Sequence, residues 1–109
     1  MRLRFLGKGG STNNGCPSLF ATDQDSYVVM GWKTQRPETV EIPHLLTGFA
    51  EPSTFIGAAL GDTGRGTFTL TGRLITDDET LSQLQPADDE AAVEVPKRER
   101  TFYGAADRR

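Results

Sequence analysis

The chain has 109 residues, a formal net charge of −3, 36% hydrophobic and 25% charged residues, and twelve glycines against six prolines. Its length suits one domain, and its glycine and proline content favours short strands and turns over long helices. The apolar runs, such as Phe55–Leu60, are far too short to cross a bilayer, and no apolar stretch of signal length follows Arg2 and Arg4. A single cysteine, Cys16, cannot form an internal disulfide. A cytoplasmic protein without membrane contact is therefore expected.

In chain order, Arg2–Leu6 alternates, with Leu3 and Phe5 on one face, and predicts an opening strand. Gly7 to Gly15 is glycine- and asparagine-rich and predicts a loop. Ser18–Thr22 and Ser26–Thr34 predict two strands around the polar turn Asp23-Gln24-Asp25. The second, with Tyr27, Val28, Val29, Met30 and Trp32, is apolar on both faces and belongs at the centre of a sheet. Thr39–Ile42 predicts a short strand closed by Pro43, and Glu51-Pro52-Ser53 a turn. The glycine-rich Gly61–Gly66 leads into Thr67–Ile75, where Phe68, Leu70 and Leu74 alternate with Thr67, Thr69, Thr71 and Arg73. That pattern predicts a half-buried antiparallel strand.

Thr76-Asp77-Asp78-Glu79 has the form of a capping box, with Thr76 as N-cap and Glu79 three residues on. A short helix at about 77–85 follows, ended by Pro86, its Leu81 and Leu84 docking on the sheet. Ala91–Val95 predicts the last strand. The fold expected is mainly β: a small antiparallel sheet or partly open barrel with one short helix. Residues 1–96 form one strand-rich domain and 97–109 a polar, basic, partly disordered tail.

Two runs resemble each other. Tyr27–Thr34, with Gly31, leads to Val40-Glu41-Ile42-Pro43, while Phe68–Thr76, with Gly72, leads to Val93-Glu94-Val95-Pro96. A duplicated strand pair packed about a pseudo-twofold axis gives this pattern, and so does chance likeness between β-rich segments.

The chemistry is sparse. Gly7-Lys8-Gly9-Gly10-Ser11-Thr12 lacks the spacing of a phosphate loop, with Arg2 and Gly9 where glycine and serine or threonine are required. Gly61–Gly66 precedes a strand, not the helix of a dinucleotide fingerprint. Cys16 and His44 are the only thiol and imidazole, so a thiol enzyme would have to use them, yet nothing local lowers the thiol pKa. One Cys and one His do not fill a structural zinc site. No catalytic residue, metal or cofactor is expected. Arg2, Arg4, Phe5, Lys8, Tyr27, Trp32 and Lys33 suggest a nucleic-acid-binding face as the alternative, against a pI near 5.1.

Charge is segregated along the chain. Residues 1–20 carry three basic residues and no acidic one, whereas Asp77, Asp78, Glu79, Asp88, Asp89, Glu90 and Glu94 lie in a stretch without basic residues. Asp88, Asp89 and Glu90 are the residues expected to steer a basic protein partner.

Arg4-Phe5-Leu6-Gly7-Lys8, Cys16-Pro17-Ser18-Leu19-Phe20-Ala21-Thr22-Asp23, Tyr27-Val28-Val29 with Gly31-Trp32-Lys33, and Val93-Glu94-Val95-Pro96 together resemble small uncharacterised actinobacterial proteins often encoded beside helix-turn-helix regulators. The resemblance carries no catalytic residues. It implies that residues 35–75 are an elaboration and that strands 26–34 and 91–96 are neighbours, and it favours a regulatory role. A small strand-rich chain without a catalytic constellation is expected to be a non-enzymatic interaction or regulatory accessory module, binding a protein partner such as a DNA-binding regulator through a sheet edge or an exposed apolar patch.

Overall fold

The computed structural model describes residues 1–9 and 16–100, and these form a mainly antiparallel β fold. The strands are β1 (Leu3–Lys8), β2 (Ser18–Thr22), β3 (Ser26–Lys33), β4 (Thr39–Pro43), β5 (Thr54–Ile56), β6 (Gly61–Asp62), β7 (Thr67–Thr71), β8 (Arg73–Leu74) and β9 (Glu90–Glu99). A 3₁₀ segment, His44–Phe49, follows β4, and α1 (Asp78–Leu84) lies between β8 and β9. No helix among the described residues is long and apolar enough to cross a membrane.

The central strand is β3, as its two apolar faces require; Tyr27, Val28 and Val29 are fully buried. One of its edges pairs with β2 and then, at Trp32 and Lys33, with β4. Its other edge pairs with β9 from Ser26↔Pro96 to Trp32↔Glu90. β4 continues to β7 and β7 to β6, while β9 also carries β8 and β5. The sheet is open, not a closed barrel, with β1 and β6 at the ends of its main path.

The likeness between the two halves of the sequence is structural. Trp32↔Glu41 and Lys33↔Val40 in the first half correspond to Arg73↔Glu94 and Leu74↔Val93 in the second. The β3–β9 pairs Tyr27↔Val95, Val29↔Val93 and Met30↔Ala92 correspond to the β7–β4 pairs Phe68↔Ile42, Leu70↔Val40 and Thr71↔Thr39. Each half thus lends its second strand to the other, as a pseudo-twofold arrangement requires. The polar details repeat as well. Ser26 Oγ donates to Glu94 Oε2 at 2.5 Å, and Thr67 Oγ1 donates to Glu41 Oε2 at 2.6 Å. In the turns before them, Thr22 Oγ1 accepts Gln24 N at 3.0 Å, and Thr63 Oγ1 accepts Arg65 N at 3.2 Å.

Both halves depend on glycine at the crossing. A Cβ on Gly31 would lie 2.6 Å from the Glu41 carbonyl oxygen, and one on Gly72 would lie 2.5 Å from that of Glu94. Gly72 also corrects the expected single strand Thr67–Ile75: β7 pairs with β4 and β8 with β9, so the run changes partner at this residue. β4, β7 and β8, in the stretch expected as an elaboration, supply half of this duplicated unit.

The inner face of the sheet holds one core drawn from both halves, including Leu19, Tyr27, Val29, Val40, Ile42, Leu70, Val93 and Val95, with Leu46 and Ile56 covering it from the segment 44–60. On the outer face the halves diverge. Val28, Met30 and Ala92 pack with Ile75 and Leu84, and Leu81 joins them, so α1 docks as its i, i+3 leucines predict. Burying one leucine contributes about 1.5–3 kcal/mol, which a helix of seven residues needs, being marginal alone. The corresponding outer positions of the second half are Thr69, Thr71 and Thr39, and the β3–β4 connection has no helix. Thr39 Oγ1 and Thr71 Oγ1 share a hydrogen bond of 2.7 Å.

The expected cap is displaced by one residue. Asp77, not Thr76, is the N-cap, its carboxylate accepting Thr80 N at 3.0 Å and Thr80 Oγ1 at 2.5 Å. Asp and Thr both cap well, but only Asp77 lies three residues before the buried Thr80. Glu79 instead meets the Met1 ammonium at 3.1 Å. β9 runs through Glu99, with Lys97 to Glu99 paired to β5. Residues 101–109 of the expected tail, and most of the loop Gly7 to Gly15, lie outside the described residues.

Two outcomes test these assignments. Gly31→Ala and Gly72→Ala should each cost about 1–3 kcal/mol in denaturant unfolding, the usual penalty of overpacking, while Gly48→Ala, with nothing within 4 Å of its added Cβ, should be near neutral. The Thr80 hydroxyl and amide hold the Asp77 carboxyl below its ordinary pKa. Its stabilising effect is therefore present above the unfolded pKa and is lost as pH falls through the lower folded value. Asp77→Ala should lower the denaturant midpoint at neutral pH, with the difference from wild type shrinking in acid, and Thr76→Ala should leave the midpoint in place.

Candidate interaction surface

His44 and Cys16 are the only imidazole and thiol of the chain. His44 follows Pro43 at the end of β4 and stacks on Phe68, with ring centroids 4.1 Å apart. Its Nε2 lies 3.2 Å from the Thr67 carbonyl oxygen and 3.4 Å from Asp62 Oδ1. The Asp62 carboxyl is held below its ordinary pKa, first by the Gly64 amide and then by His44. The duplicated position after the second half is Lys97, whose ammonium stands 5.1 Å from the Tyr27 ring centroid. The residue after each Val-Glu-x-Pro ending thus lies against an aromatic ring, the His44 imidazole on Phe68 and the Lys97 ammonium over Tyr27. Cys16 is partly buried ahead of β2, its carbonyl accepting the Ser18 hydroxyl at 2.9 Å.

Gly61–Gly66 is β6 and a tight turn, stabilised by Gly64 N donating to Asp62 Oδ1 at 2.8 Å. It is the counterpart of the turn after β2, and its glycines meet local geometry: Gly66 has φ 85°, where the first half places Asp25 at φ 58°. Among the described residues no group of three His, Cys, Asp or Glu side chains is placed to hold a metal.

Of the three residues expected to steer a partner, Asp88 and Asp89 are exposed at the turn before β9, where the Asp89 carbonyl accepts Lys33 N at 2.8 Å. Glu90 is only 3% exposed. Its Oε1 accepts Ala87 N at 3.0 Å, closing the turn, and its Oε2 has no hydrogen-bond partner among the described residues. It opposes Trp32 in the sheet and presents no charge to solvent. The aromatic set proposed for nucleic acid is likewise divided. Tyr27 is fully buried, its hydroxyl accepting Glu51 N at 2.7 Å and sharing a hydrogen bond with Thr54.

The exposed apolar side chains mark a different place. Phe5 is 54% exposed, Leu45 53% and Phe49 38%. Phe5 stands on the outer face of β1, edge-on to Phe20 at 5.7 Å between centroids. Leu45 and Phe49 come from the 3₁₀ segment and lie over Gly9 and Gly7, in the space that a Cβ at either would need. Between Phe5 and Gly7 the β1–β2 register shifts, and this bulge turns Leu6 into the inner core. Among the described residues no strand pairs with the other edge of β1. The expected loop at Gly7 is thus partly an exposed strand edge, with apolar side chains on both of its faces.

The edge is basic and anchored. Arg2, Arg4 and Lys8 are exposed. Glu51 accepts from both Arg4 and Lys97, tying β1, the segment 44–60 and β9 together. The sequence groups Arg2, Arg4, Phe5 and Lys8 as part of a candidate nucleic-acid face but gives no sign of Leu45 and Phe49 beside them, because which segments meet a strand edge is decided by distant pairing. No family model, no curated protein and no solved structure matches the chain.

The buried and exposed acids separate in one experiment. Asp88→Asn with Asp89→Asn should change stability by less than about 0.5 kcal/mol, as exposed substitutions do. Glu90→Ala, which leaves the Ala87 amide without its acceptor, should cost about 1–3 kcal/mol in denaturant unfolding.

Proposed function

We propose that the protein is a non-enzymatic protein-interaction module of the regulatory accessory kind, working in the cytoplasm and docking a protein partner along β1. The observation that carries this reading is the clustering of Phe5, Leu45 and Phe49 at a strand edge with no pairing partner among the described residues. Exposed apolar groups gathered at one place mark interaction sites, whereas scattered ones do not. The exposed Asp88–Asp89 turn supplies the steering charge for a basic face of the partner, such as that of a DNA-binding regulator. Charge of this kind acts mainly on the association rate and weakens with salt.

Affinity capture from the native host tests this when wild type is compared with two folded variants. Phe5→Ser with Leu45→Ser should lose the captured protein, whereas Phe55→Ser with Leu60→Ser, which also removes exposed apolar side chains, should retain it. Equal capture by both variants would refute the assignment to β1. Recovery of nucleic acid in place of protein would favour the nucleic-acid reading.

A further inference from the structure

We infer that the outer edge of β1 receives an acidic, apolar, extended segment of the partner as an added strand. This rests on the interaction-module reading and specifies what the module recognises.

The hydrogen bonds around β1 show which of its amides are available. Asp23 N donates to the Arg2 carbonyl at 3.1 Å, and Gly9 N donates to the Pro17 carbonyl at 3.1 Å, so these two residues face the β2 side. Leu3 N faces the opposite way and donates to Gln83 Oε1 of α1 at 3.0 Å. Alternate residues of a strand direct their backbone groups to opposite edges. Phe5, two residues after Leu3, therefore faces outward, and so does Lys8, next to Gly9 beyond the bulge. Helix α1 closes the first part of the edge at Leu3, and from Phe5 onward no strand among the described residues pairs with it.

Side chains frame that run. A strand added at the usual spacing of about 4.8 Å would bring its outer-face residues against Phe5 and its inner-face residues against Leu45 and Phe49. Main-chain bonds would supply affinity and these apolar chains the selection at alternate positions, as in other cases of strand addition.

Charge selects the occupant. Arg2, Arg4 and Lys8 surround the edge; Arg4 is paired with Glu51, while Arg2 and Lys8 have no carboxylate within salt-bridge distance of their side chains among the described residues. A second copy is disfavoured: antiparallel self-pairing centred on Phe5 sets Arg2 against Lys8, and centring on Leu6 sets Arg4 against Lys8. Like charges directly opposed destabilise a strand pair. Basic residues and a bulge are also devices by which edge strands avoid indiscriminate pairing. Here they leave the edge open to a segment whose own charges are negative.

The test uses capped peptides of about seven residues, a usual strand length, that alternate valine with glutamate or with lysine, titrated against the full chain by fluorescence anisotropy. Amide hydrogen exchange of the saturated complex is read alongside. The glutamate peptide should bind at least roughly tenfold more tightly than the lysine peptide, and Phe5 and Lys8 amides should gain protection. Lys8→Pro removes one outward donor, a change that edge strands accept, and should weaken binding roughly five- to tenfold. Lys8→Gln should weaken it less. Binding without protection at Phe5 and Lys8, preference for the lysine peptide, or no binding of either would overturn the proposal. So would concentration-dependent dimerisation that protects these amides without peptide. If no peptide binds while Phe5→Ser with Leu45→Ser still abolishes capture of the host protein, the module reading stands and strand addition fails.

Discussion

Two backbones touch at Gly31 and Gly72, and the rest of the molecule follows from that contact. At each point a glycine lies against the carbonyl of the other strand of its own unit, closer than any side chain permits. The approach lets β3 pair with β9 along one edge while its end still reaches β4, and lets the run from Thr67 to Leu74 pass from β4 to β9. One core then serves both halves, with Tyr27 and Val29 facing the same interior as Phe68 and Leu70. Glu41 and Glu94 stabilise the crossing by bonding the hydroxyls of Thr67 and Ser26. For Glu94, burial raises the carboxyl pKa, and the Ser26 and Arg73 bonds outweigh that to bring it below its ordinary value.

Function is proposed where the symmetry is broken. The core could be built from two equal halves, but β1 and α1 occur only beside the first. Helix α1 covers Val28, Met30 and Ala92, whereas the second half carries threonines at the matching positions and needs no cover. Strand β1 extends the sheet beyond β2 and ends it in an edge that α1 closes only at Leu3. The apolar side chains that remain exposed there lie outside the duplicated unit. A docking partner would therefore leave the crossing undisturbed.

Much of this architecture was legible in the residues. The alternation of Thr67–Ile75, the two apolar faces of Ser26–Thr34, the leucines of the helix and the repeated Val-Glu-Ile-Pro and Val-Glu-Val-Pro endings are local patterns with direct physical meaning. What escaped depends on distant contacts. The change of partner at Gly72 is invisible to periodicity, because the strand continues on both sides of it. Thr76 and Asp77 are both good caps, and the choice falls to Asp77 because Thr80 is buried. Glu90 belongs to an acidic run in the sequence, yet strand pairing opposite Trp32 takes it inside. The open edge of β1 could not be read from Arg2–Leu6, since an amphipathic strand shows the same alternation whether one edge is paired or two.

The most direct measurement is residue-resolved amide hydrogen exchange of the unliganded protein. The account predicts that Phe5 and Lys8 exchange rapidly and independently of global unfolding. Amides of Val28, Val29 and Val93, at the centre of the β3–β9 pairing, should exchange only as the whole fold opens. Slow exchange at Phe5 and Lys8, matching that of β3, would show that the β1 edge is already paired and would contradict it as the docking surface.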